Sequence, residues 1–349
     1  MRGNTVVGEA AIKAGCKCYF GYPITPQNEL PEYMSRRLTE IEDGVFIQSE
    51  SEISAINMVL GASVAGARVM TSSSSPGISL KQEGISFLCG DELPAVIVNM
   101  VRGGPGLGNI SPAQSDYFQS TRGGGHGDYR TVVLAPASCQ ELADLTMEAF
   151  DISDYYRNPV LILADGMMGQ MMEPVTFDNY KPRKLPKKDY IIDGAKGRPS
   201  HFVRSLILNT QAMEEHNWKL MRKYQMITKN EIKCDEFMMD DAKLAVVAYG
   251  TAARIAKGAV KRARKEGLKV GLIRPITLWP YPSEVIKKWA KSVSLFVVFE
   301  MSAGQMIEDV ELSLKGSSEV FFYGRPGGVI PTPVELLRIV SSQYYQKGL

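Results

Sequence analysis

The stretch GYPITPQNELPEYMSRRL (residues 21–38), followed by VFIQSESEISAINMVLGASVAGA (residues 45–67), decides the fold. The residues just before it predict a short buried strand, and Thr25 followed by Pro26 is a cap-and-proline pair that predicts the start of a helix. The second segment opens as another short strand and continues as a helix with Glu52 in its first turn. Because ligands bind at the carboxyl edge of such strands, Thr25 and Glu52 are expected to face one crevice.

Strand and helix patterns alternate along most of the chain, which predicts two α/β domains with parallel sheets covered by helices. The predicted strands are residues 16–21, 45–48, 68–72, 94–100, 131–134 and 160–164, and then 244–248, 269–272, 295–299 and 320–323. Between the two sets lies the basic run KPRKLPKKDY, either a solvated surface or an arm that clasps a partner, and then a helix over residues 210–230. We therefore predict domains over residues 1–172 and 241–349, joined by an arm and helical linker over residues 173–240.

The composition is that of an ordinary globular protein, with 44% hydrophobic and 22% charged residues. A formal charge of only +2 favours neither nucleic acid nor an anionic membrane as a partner. No apolar run approaches the roughly 18 residues that span a bilayer, and the opening residues MRGNTVV lack the apolar core of a signal peptide. We expect a cytoplasmic protein with no nucleic-acid or membrane partner.

The cysteines fit a reducing compartment. There are five of them and they form no CxxC pair, which argues against a disulfide framework, a zinc site and a cluster-binding motif. We expect reduced thiols, and any iron–sulfur cluster used by this protein is expected on another chain.

Four motifs in fixed order carry a family resemblance: GYPITP, ESEISAINMVLGAS, TSSSSPG and RGGPGLGN. Together they resemble the α subunit of the 2-oxoacid:ferredoxin oxidoreductases, and within it the 2-oxoisovalerate (branched-chain, 3-methyl-2-oxobutanoate) branch. The resemblance continues into the second region through LIRPITLWPYP, FEMSAGQ and GRPGGVIPTPVELL. It implies a thiamine diphosphate pyrimidine-binding domain followed by a transketolase-C-terminal-like domain. One departure is Ser75, where the family often has glycine.

The resemblance also implies an activity that is shared between chains. The reaction is the oxidative decarboxylation of 2-oxoisovalerate and related acids to acyl-CoA and CO2, with coenzyme A as co-substrate and ferredoxin as electron acceptor. The GDG turn and following asparagine that hold the cofactor's diphosphate through Mg2+ are missing from this sequence, so no metal site is expected here. A diphosphate-binding β subunit and an iron–sulfur subunit are the implied partners, and this chain alone is expected to be inactive.

Glu52 is the candidate for the carboxylate that hydrogen-bonds the aminopyrimidine ring, as the glutamate of the matching step does in the resembling family. The plain alternative for Glu52 is a first-turn glutamate or a capping-box member. Its rival for the role is Glu50, on a different helix face.

The other candidate residues come from the YPITP and RGGP motifs. Pro23, Ile24 and Thr25 are implied to contact the cofactor, with the Thr25 hydroxyl near the reacting carbonyl, although Thr25 could simply cap a helix. Arg102 resembles a clamp for the substrate carboxylate, and its alternative is a surface arginine at a strand end.

His126 in GGHGDY is a candidate for a position near the site or for an ordinary loop residue. The methionines of residues 167–172 could line an apolar pocket, with core packing as the alternative. Three other functions remain open: a pyruvate or 2-oxoglutarate ferredoxin oxidoreductase subunit, the thiamine-binding subunit of a lipoyl-linked 2-oxoacid dehydrogenase, and a non-catalytic scaffold that binds a partner.

Overall fold

Two mainly parallel sheets covered by helices organise the chain, and the computed structural model describes residues 1–178 and 180–349. The strands of these residues are β1 (Cys18–Gly21), β2 (Val45–Gln48), β3 (Val69–Ser73), β4 (Val96–Val101), β5 (Val132–Leu134), β6 (Val160–Asp165), β7 (Cys234–Phe237), β8 (Leu244–Val247), β9 (Val270–Pro275), β10 (Thr277–Trp279), β11 (Leu295–Glu300) and β12 (Glu319–Gly324). Their order is β10-β5-β6-β4-β3-β1-β2 in the first sheet and β12-β11-β8-β9-β7 in the second. The predicted fold class is confirmed.

Helices cover both faces of each sheet. In the described residues they are α1 (Gly3–Lys13), α2 (Glu29–Arg37), α3 (Glu52–Val64), α4 (Pro76–Gly90), α5 (Tyr117–Thr121), α6 (Cys139–Tyr156), α7 (Gly166–Gln170), α8 (Thr210–Asn230), α9 (Gly250–Lys265), α10 (Ser283–Trp289), α11 (Met306–Leu314) and α12 (Pro333–Gln346). One core cluster packs α1, α2, α6 and α8 against one face of the first sheet, and another packs α3 and α4 against the opposite face. Strands β3, β4 and β6 are buried throughout, as expected for parallel strands covered on both sides.

The prediction of a helix that opens at Thr25-Pro26 is wrong, because α2 begins at Glu29. The Thr25–Pro26 peptide is cis and lies in a turn. The Pro26 carbonyl accepts hydrogen bonds from the side-chain amides of Asn4 (2.9 Å) and Gln170 (3.2 Å), both distant in sequence. In a helix, the Pro26 carbonyl would accept a backbone N–H of the same helix. Here the two side-chain amides take that place.

Two short antiparallel edge strands escaped the sequence patterns and cross the predicted domain boundaries. β7 lies within the predicted linker yet pairs with β9 in the second sheet. β10 lies within the predicted second domain yet pairs with β5 in the first sheet. The domain boundaries at residues 172 and 240 stay a prediction. The pairings of β7 with β9 and of β10 with β5 connect segments on opposite sides of these boundaries.

The linker packs against the first domain. Helix α8 has its predicted bounds, and its Leu220 and Tyr224 are buried in the first core. In the basic run before it, Arg183 forms ion pairs with Glu231 at 2.6 Å and Glu148 at 3.1 Å. Tyr190 is buried. The basic run is thus partly anchored to the domain, in contrast to a wholly solvated surface.

A buried glutamine joins the two domains. Gln114 follows β4, and its side chain donates to the Tyr249 carbonyl at 2.9 Å and accepts from the Met301 amide at 3.0 Å. The Tyr117 hydroxyl donates to Asp309 on α11 at 2.6 Å. These bonds fix the second domain against the loops that follow β4.

Candidate active site

Four loops at the carboxyl edge of the first sheet form the candidate site. They follow β1, β2, β3 and β4, which are neighbours in the order β4-β3-β1-β2. Thr25 lies after β1, Glu52 after β2 and Arg102 after β4. Parallel strands bring these three residues to one edge although Thr25 and Arg102 are 77 positions apart in sequence.

Glu52 occupies the first turn of α3, which Ser51 caps by accepting the Ser54 amide at 3.1 Å. A capping-box glutamate would stand where Ser54 stands, so that alternative does not apply. The Glu52 residue is only 6% exposed, and within the described part of the chain no hydrogen bond reaches its carboxylate. Its rival Glu50 is exposed. Of the two, only Glu52 is a buried carboxylate without a partner.

Gly77 near the start of α4 makes room for that carboxylate. A Cβ placed on Gly77 would lie 2.6 Å from Glu52 Oε1 and 2.0 Å from Ser73 Oγ, both well inside contact distance. The Glu52 carboxylate therefore packs directly against the first turn of α4, where the helix dipole favours negative charge.

Thr25 is exposed, and the described residues make no hydrogen bond to its hydroxyl. The N-terminal cap position of α2 is Asn28, so the capping alternative for Thr25 is wrong. The Thr25 carbonyl accepts from Arg102 Nη1 at 3.1 Å. The hydroxyl is free to bond a ligand.

Arg102 binds the site loops to one another. Besides Thr25, its guanidinium donates to the Leu107 carbonyl at 3.0 Å through Nη2, while Nε is buried without a partner. Its backbone amide donates to Ser75 Oγ at 3.0 Å. Arg102 is half-buried, and its Nε–H is a donor without an acceptor among the described residues, in contrast to a surface arginine that water surrounds. A carboxylate could replace the two carbonyls with a stronger, charge-assisted pair of bonds.

A buried polar network supports the loop after β3. Ser75 has a positive φ of 24°, a conformation that favours glycine. Its amide donates to Asn99 Oδ1 at 3.0 Å, and Asn99 donates in turn to Asp116 at 2.9 Å. Burial raises the pKa of Asp116, while its bonds to Ser75 and Asn99 oppose the rise. This network holds the serine in the strained turn.

The second domain also contacts the Arg102 loop. Asn109 donates to the Gly327 carbonyl at 2.9 Å. Gly328 has a φ of +94°, and a Cβ there would lie 2.5 Å from Ser111 Cβ. The two glycine-rich loops thus pack closely, and the second domain helps to place the loop that carries Arg102.

Lys81 was missed by the sequence analysis. It is fully buried in α4, and its Nζ donates to the Glu52 backbone carbonyl at 3.3 Å. Burial lowers the pKa of Lys81 to about 8. The spacing of Ile78, Lys81, Ile85 and Leu88 places the lysine on the apolar face of α4, and this periodicity could have revealed it.

The remaining candidates lie around these four loops. Pro23 lines a groove of about 360 Å3 between β2 and α2, and Ile24 is half-buried. His126 is exposed in a loop whose Gly124 amide donates to Gln82 of α4 at 3.0 Å. Met168 is buried in the core and Met172 is 72% exposed, which favours packing over a methionine-lined pocket.

The residues that the structure describes contain neither a cluster of metal ligands nor a membrane-spanning helix. No cluster of three or more His, Cys, Asp and Glu side chains suitable for a metal ion was found there. In the same residues no helix combines the length and apolar character needed to cross a bilayer.

Comparison with known families decides the assignment. The family described as "Pyruvate flavodoxin/ferredoxin oxidoreductase, thiamine diP-bdg" matches residues 9–239, and "Pyruvate:ferredoxin oxidoreductase core domain II" matches residues 242–336. The chain belongs to the 2-oxoacid:ferredoxin oxidoreductase family. The resemblance seen in the motifs is confirmed, and the family's thiamine diphosphate-binding domain contains Thr25, Glu52 and Arg102.

Individual relatives of this family cover nearly the whole chain. The ketoisovalerate oxidoreductase subunit VorB of Methanothermobacter marburgensis is 50% identical over 338 residues, covering 97% of this chain and 96% of the relative. The 2-oxoglutarate synthase subunit KorA of Methanocaldococcus jannaschii is 38% identical and covers 97% and 98%, respectively. The family models that match this chain describe ferredoxin oxidoreductases, which argues against the lipoyl-linked and scaffold alternatives.

Solved structures agree with the family and the fold. The 2-oxoglutarate:ferredoxin oxidoreductase from Magnetococcus marinus, solved with 2-oxoglutarate, coenzyme A and succinyl-CoA, superposes with a TM-score of 0.87 at 25% identity. The match covers 99% of this chain and 65% of that longer chain. A split-gene transketolase shares the fold, with a TM-score of 0.63 at 13% identity. The 2-oxoacid:ferredoxin oxidoreductase subunit described here therefore has the fold class that the sequence predicts, with two mainly parallel α/β sheets.

Proposed function

We propose that this chain binds the aminopyrimidine end of thiamine diphosphate in a 2-oxoacid:ferredoxin oxidoreductase that acts on 2-oxoisovalerate and related branched-chain 2-oxoacids. The products are the acyl-CoA, CO2 and reduced ferredoxin. One observation carries the proposal: the Glu52 residue is only 6% exposed, and among the described residues its carboxylate makes no hydrogen bond where four loops of the thiamine diphosphate-binding domain meet. A buried, unsatisfied polar group is costly unless a ligand completes it.

The residues of the site fit thiamine diphosphate. The Glu52 carboxyl group can form a hydrogen bond with the ring nitrogen of an aminopyrimidine, and Gly77 leaves room beside it. Pro23 and Ile24 offer backbone and apolar contacts beside the ring. When bound, the cofactor supplies the carbanion chemistry of decarboxylation, and the protein supplies orientation and polarity.

Arg102 and Thr25 are assigned to the substrate. The guanidinium would exchange the Thr25 and Leu107 carbonyls for the 2-oxoacid carboxylate and hold it through parallel hydrogen bonds. The exposed Thr25 hydroxyl would donate to the substrate carbonyl oxygen as negative charge develops there. His126 is left near the site without an assigned role.

Partner chains complete the site in this proposal. Large apolar side chains surround the four loops and are exposed: Tyr22, Ile53, Leu80, Leu107 and Ile110. Such a patch is typical of an interface. A diphosphate-binding β subunit with Mg2+ would cover it, and an iron–sulfur subunit would pass electrons to ferredoxin. The multi-subunit assembly is supported by relatives that are themselves named subunits.

The proposed preference for a branched-chain acid is supported by sequence identity to the relatives and by the apolar side chains of the loop that follows Arg102. Identity is higher to the ketoisovalerate subunit (50%) than to the 2-oxoglutarate subunit (38%). The side chains of Leu107 and Ile110 lie in the Arg102 loop and are apolar, which suits an aliphatic substrate better than a second carboxylate. Pyruvate and 2-oxoglutarate are the alternative substrates. The location proposed for the complex is the cytoplasm, where the five free thiols stay reduced.

The test is an anaerobic purification of the complex through a tag on this chain, followed by coenzyme A-dependent viologen reduction. We expect the fastest turnover with 2-oxoisovalerate, slower turnover with pyruvate and 2-oxoglutarate, and inactivity of the isolated chain. Preference for another acid would overturn the substrate assignment alone. Full activity of a Glu52→Gln complex would overturn the assignment of the cofactor carboxylate.

A further inference from the structure

Lys81 brings a second charge to the proposed cofactor site, and the function proposed above does not use it. The lysine lies in α4 with no exposed surface, and its Nζ donates to the Glu52 carbonyl at 3.3 Å. Among the residues that the structure describes, this is the one hydrogen bond that the Lys81 ammonium makes. Two of its three N–H donors therefore lack a protein acceptor.

Packing alone does not explain this residue. Taking an ammonium out of water costs far more than burying an apolar side chain of the same size. A second buried lysine shows the usual compensation, since Lys223 of α8 pairs with Glu92 at 3.5 Å. Among the described residues, no carboxylate oxygen lies within the 4.0 Å ion-pair limit of Lys81. The charge that acts on Lys81 comes from Glu52, whose attraction opposes the effect of burial on the lysine pKa.

We propose that Lys81 is a positioning residue that holds the first turn of α3, and with it the Glu52 side chain, in place toward the aminopyrimidine ring. This inference rests on the function proposed above. The bond from Nζ fixes the backbone of Glu52, and so fixes where its side chain starts. The ring nitrogen of an aminopyrimidine needs a carboxyl group at one defined place to make its hydrogen bond. Because Lys81 has no exposed surface, it acts through Glu52.

The experiment compares four variants of the assembled complex. Lys81→Met removes the charge and keeps the length, and Lys81→Arg keeps the charge. Lys223→Met is the matched control, because it removes a buried ammonium remote in the fold from Glu52. Glu52→Gln reports on the proposed function itself. Each complex is measured for thiamine diphosphate affinity and for the near-ultraviolet circular-dichroism band of the bound iminopyrimidine.

We expect Lys81→Met to weaken the iminopyrimidine band and to lower thiamine diphosphate affinity about 10-fold, because the first turn of α3 loses the bond that positions Glu52. Lys81→Arg should retain the band and the affinity, and Lys223→Met should match the wild type. If Lys81→Met keeps both readouts, or if Lys81→Arg loses as much as Lys81→Met, the inference is overturned.

Two further comparisons keep the test decisive. If Glu52→Gln is inactive while Lys81→Met behaves as wild type, only the role of Lys81 fails. If Glu52→Gln is active, the proposed function fails instead. Should Lys81→Met not assemble, Lys81→Gln is measured in the same way, and the same results support or overturn the inference.

Discussion

Adding one methyl group at Gly77 should disable the site by displacing Glu52. The new Cβ would lie 2.0 Å from Ser73 Oγ and 2.6 Å from Glu52 Oε1, which falls short of the 3.4 Å of ordinary contact by 1.4 and 0.8 Å. Both side chains, or the start of α4, must therefore move. Because a displacement of about 1 Å at a reacting group costs about 100-fold in rate, we expect Gly77→Ala to lower kcat/KM about 100-fold.

The stability cost of Gly77→Ala should be small by comparison. Overpacking costs about 1–3 kcal/mol, and the better helix propensity of alanine offsets about 0.5–1 kcal/mol of it. We therefore expect a folded complex that has lost affinity for thiamine diphosphate, measured by titration of the cofactor-free enzyme alongside urea unfolding.

A matched glycine in the neighbouring helix serves as the control. Gly61 in α3 has no atom within 4 Å of a built Cβ, so Gly61→Ala should stabilise the fold by about 0.5–1 kcal/mol and leave activity unchanged. A second variant separates the two clashes, since Ser73→Ala combined with Gly77→Ala removes the contact to Ser73 and leaves the contact to Glu52. Wild-type cofactor affinity and activity in Gly77→Ala would refute the placement of Glu52 against α4.

Three further predictions concern charge and packing. Arg102→Lys keeps the charge but loses the parallel donors, so KM for the 2-oxoacid should rise about 10- to 100-fold in steady-state assays, with thiamine diphosphate affinity unchanged. Lys81 has a pKa of about 8 in the fold against 10.5 in the unfolded chain, so the unfolded state binds more protons between these two pH values. The free energy of unfolding of the wild type should therefore rise by about 3 kcal/mol over that pH range, relative to Lys81→Met. Urea unfolding at several pH values measures this rise. Gln114→Ala should destabilise the domain junction by about 2–4 kcal/mol in urea unfolding, because it leaves the buried Tyr249 carbonyl and Met301 amide without partners.

Local sequence signals were sufficient for some elements, whether or not the element is buried. The strand at β2 and the helix α8 were predicted with the bounds that the structure has. By contrast, the start of α2 depends on Asn4 and Gln170, which lie far from Pro26 in sequence, and no local signal reports such bonds. Strands β7 and β10 are short antiparallel edges, and four or three residues carry too little alternation to be recognised.

The candidate site was predictable only in part for the same reason. Motifs bring Thr25, Glu52 and Arg102 to one sheet edge, because the carboxyl ends of parallel strands meet there. They do not show that Arg102 already bonds the Thr25 and Leu107 carbonyls, since this depends on the fold of the glycine-rich loop. Lys81 escaped notice because a charged residue on an apolar helix face is visible only when the periodicity is traced through it.

The arrangement around Glu52 explains why such a site belongs to an assembly. Among the described residues, the Glu52 carboxylate and the buried Arg102 Nε make no hydrogen bond at this edge of the first sheet. Each unsatisfied group costs about 1–3 kcal/mol, so the isolated chain keeps a locally unfavourable edge. Ligand and partner would satisfy these groups only in the assembled state, which couples cofactor binding to assembly. We therefore expect thiamine diphosphate to raise the thermal stability of the complex more than that of the isolated chain.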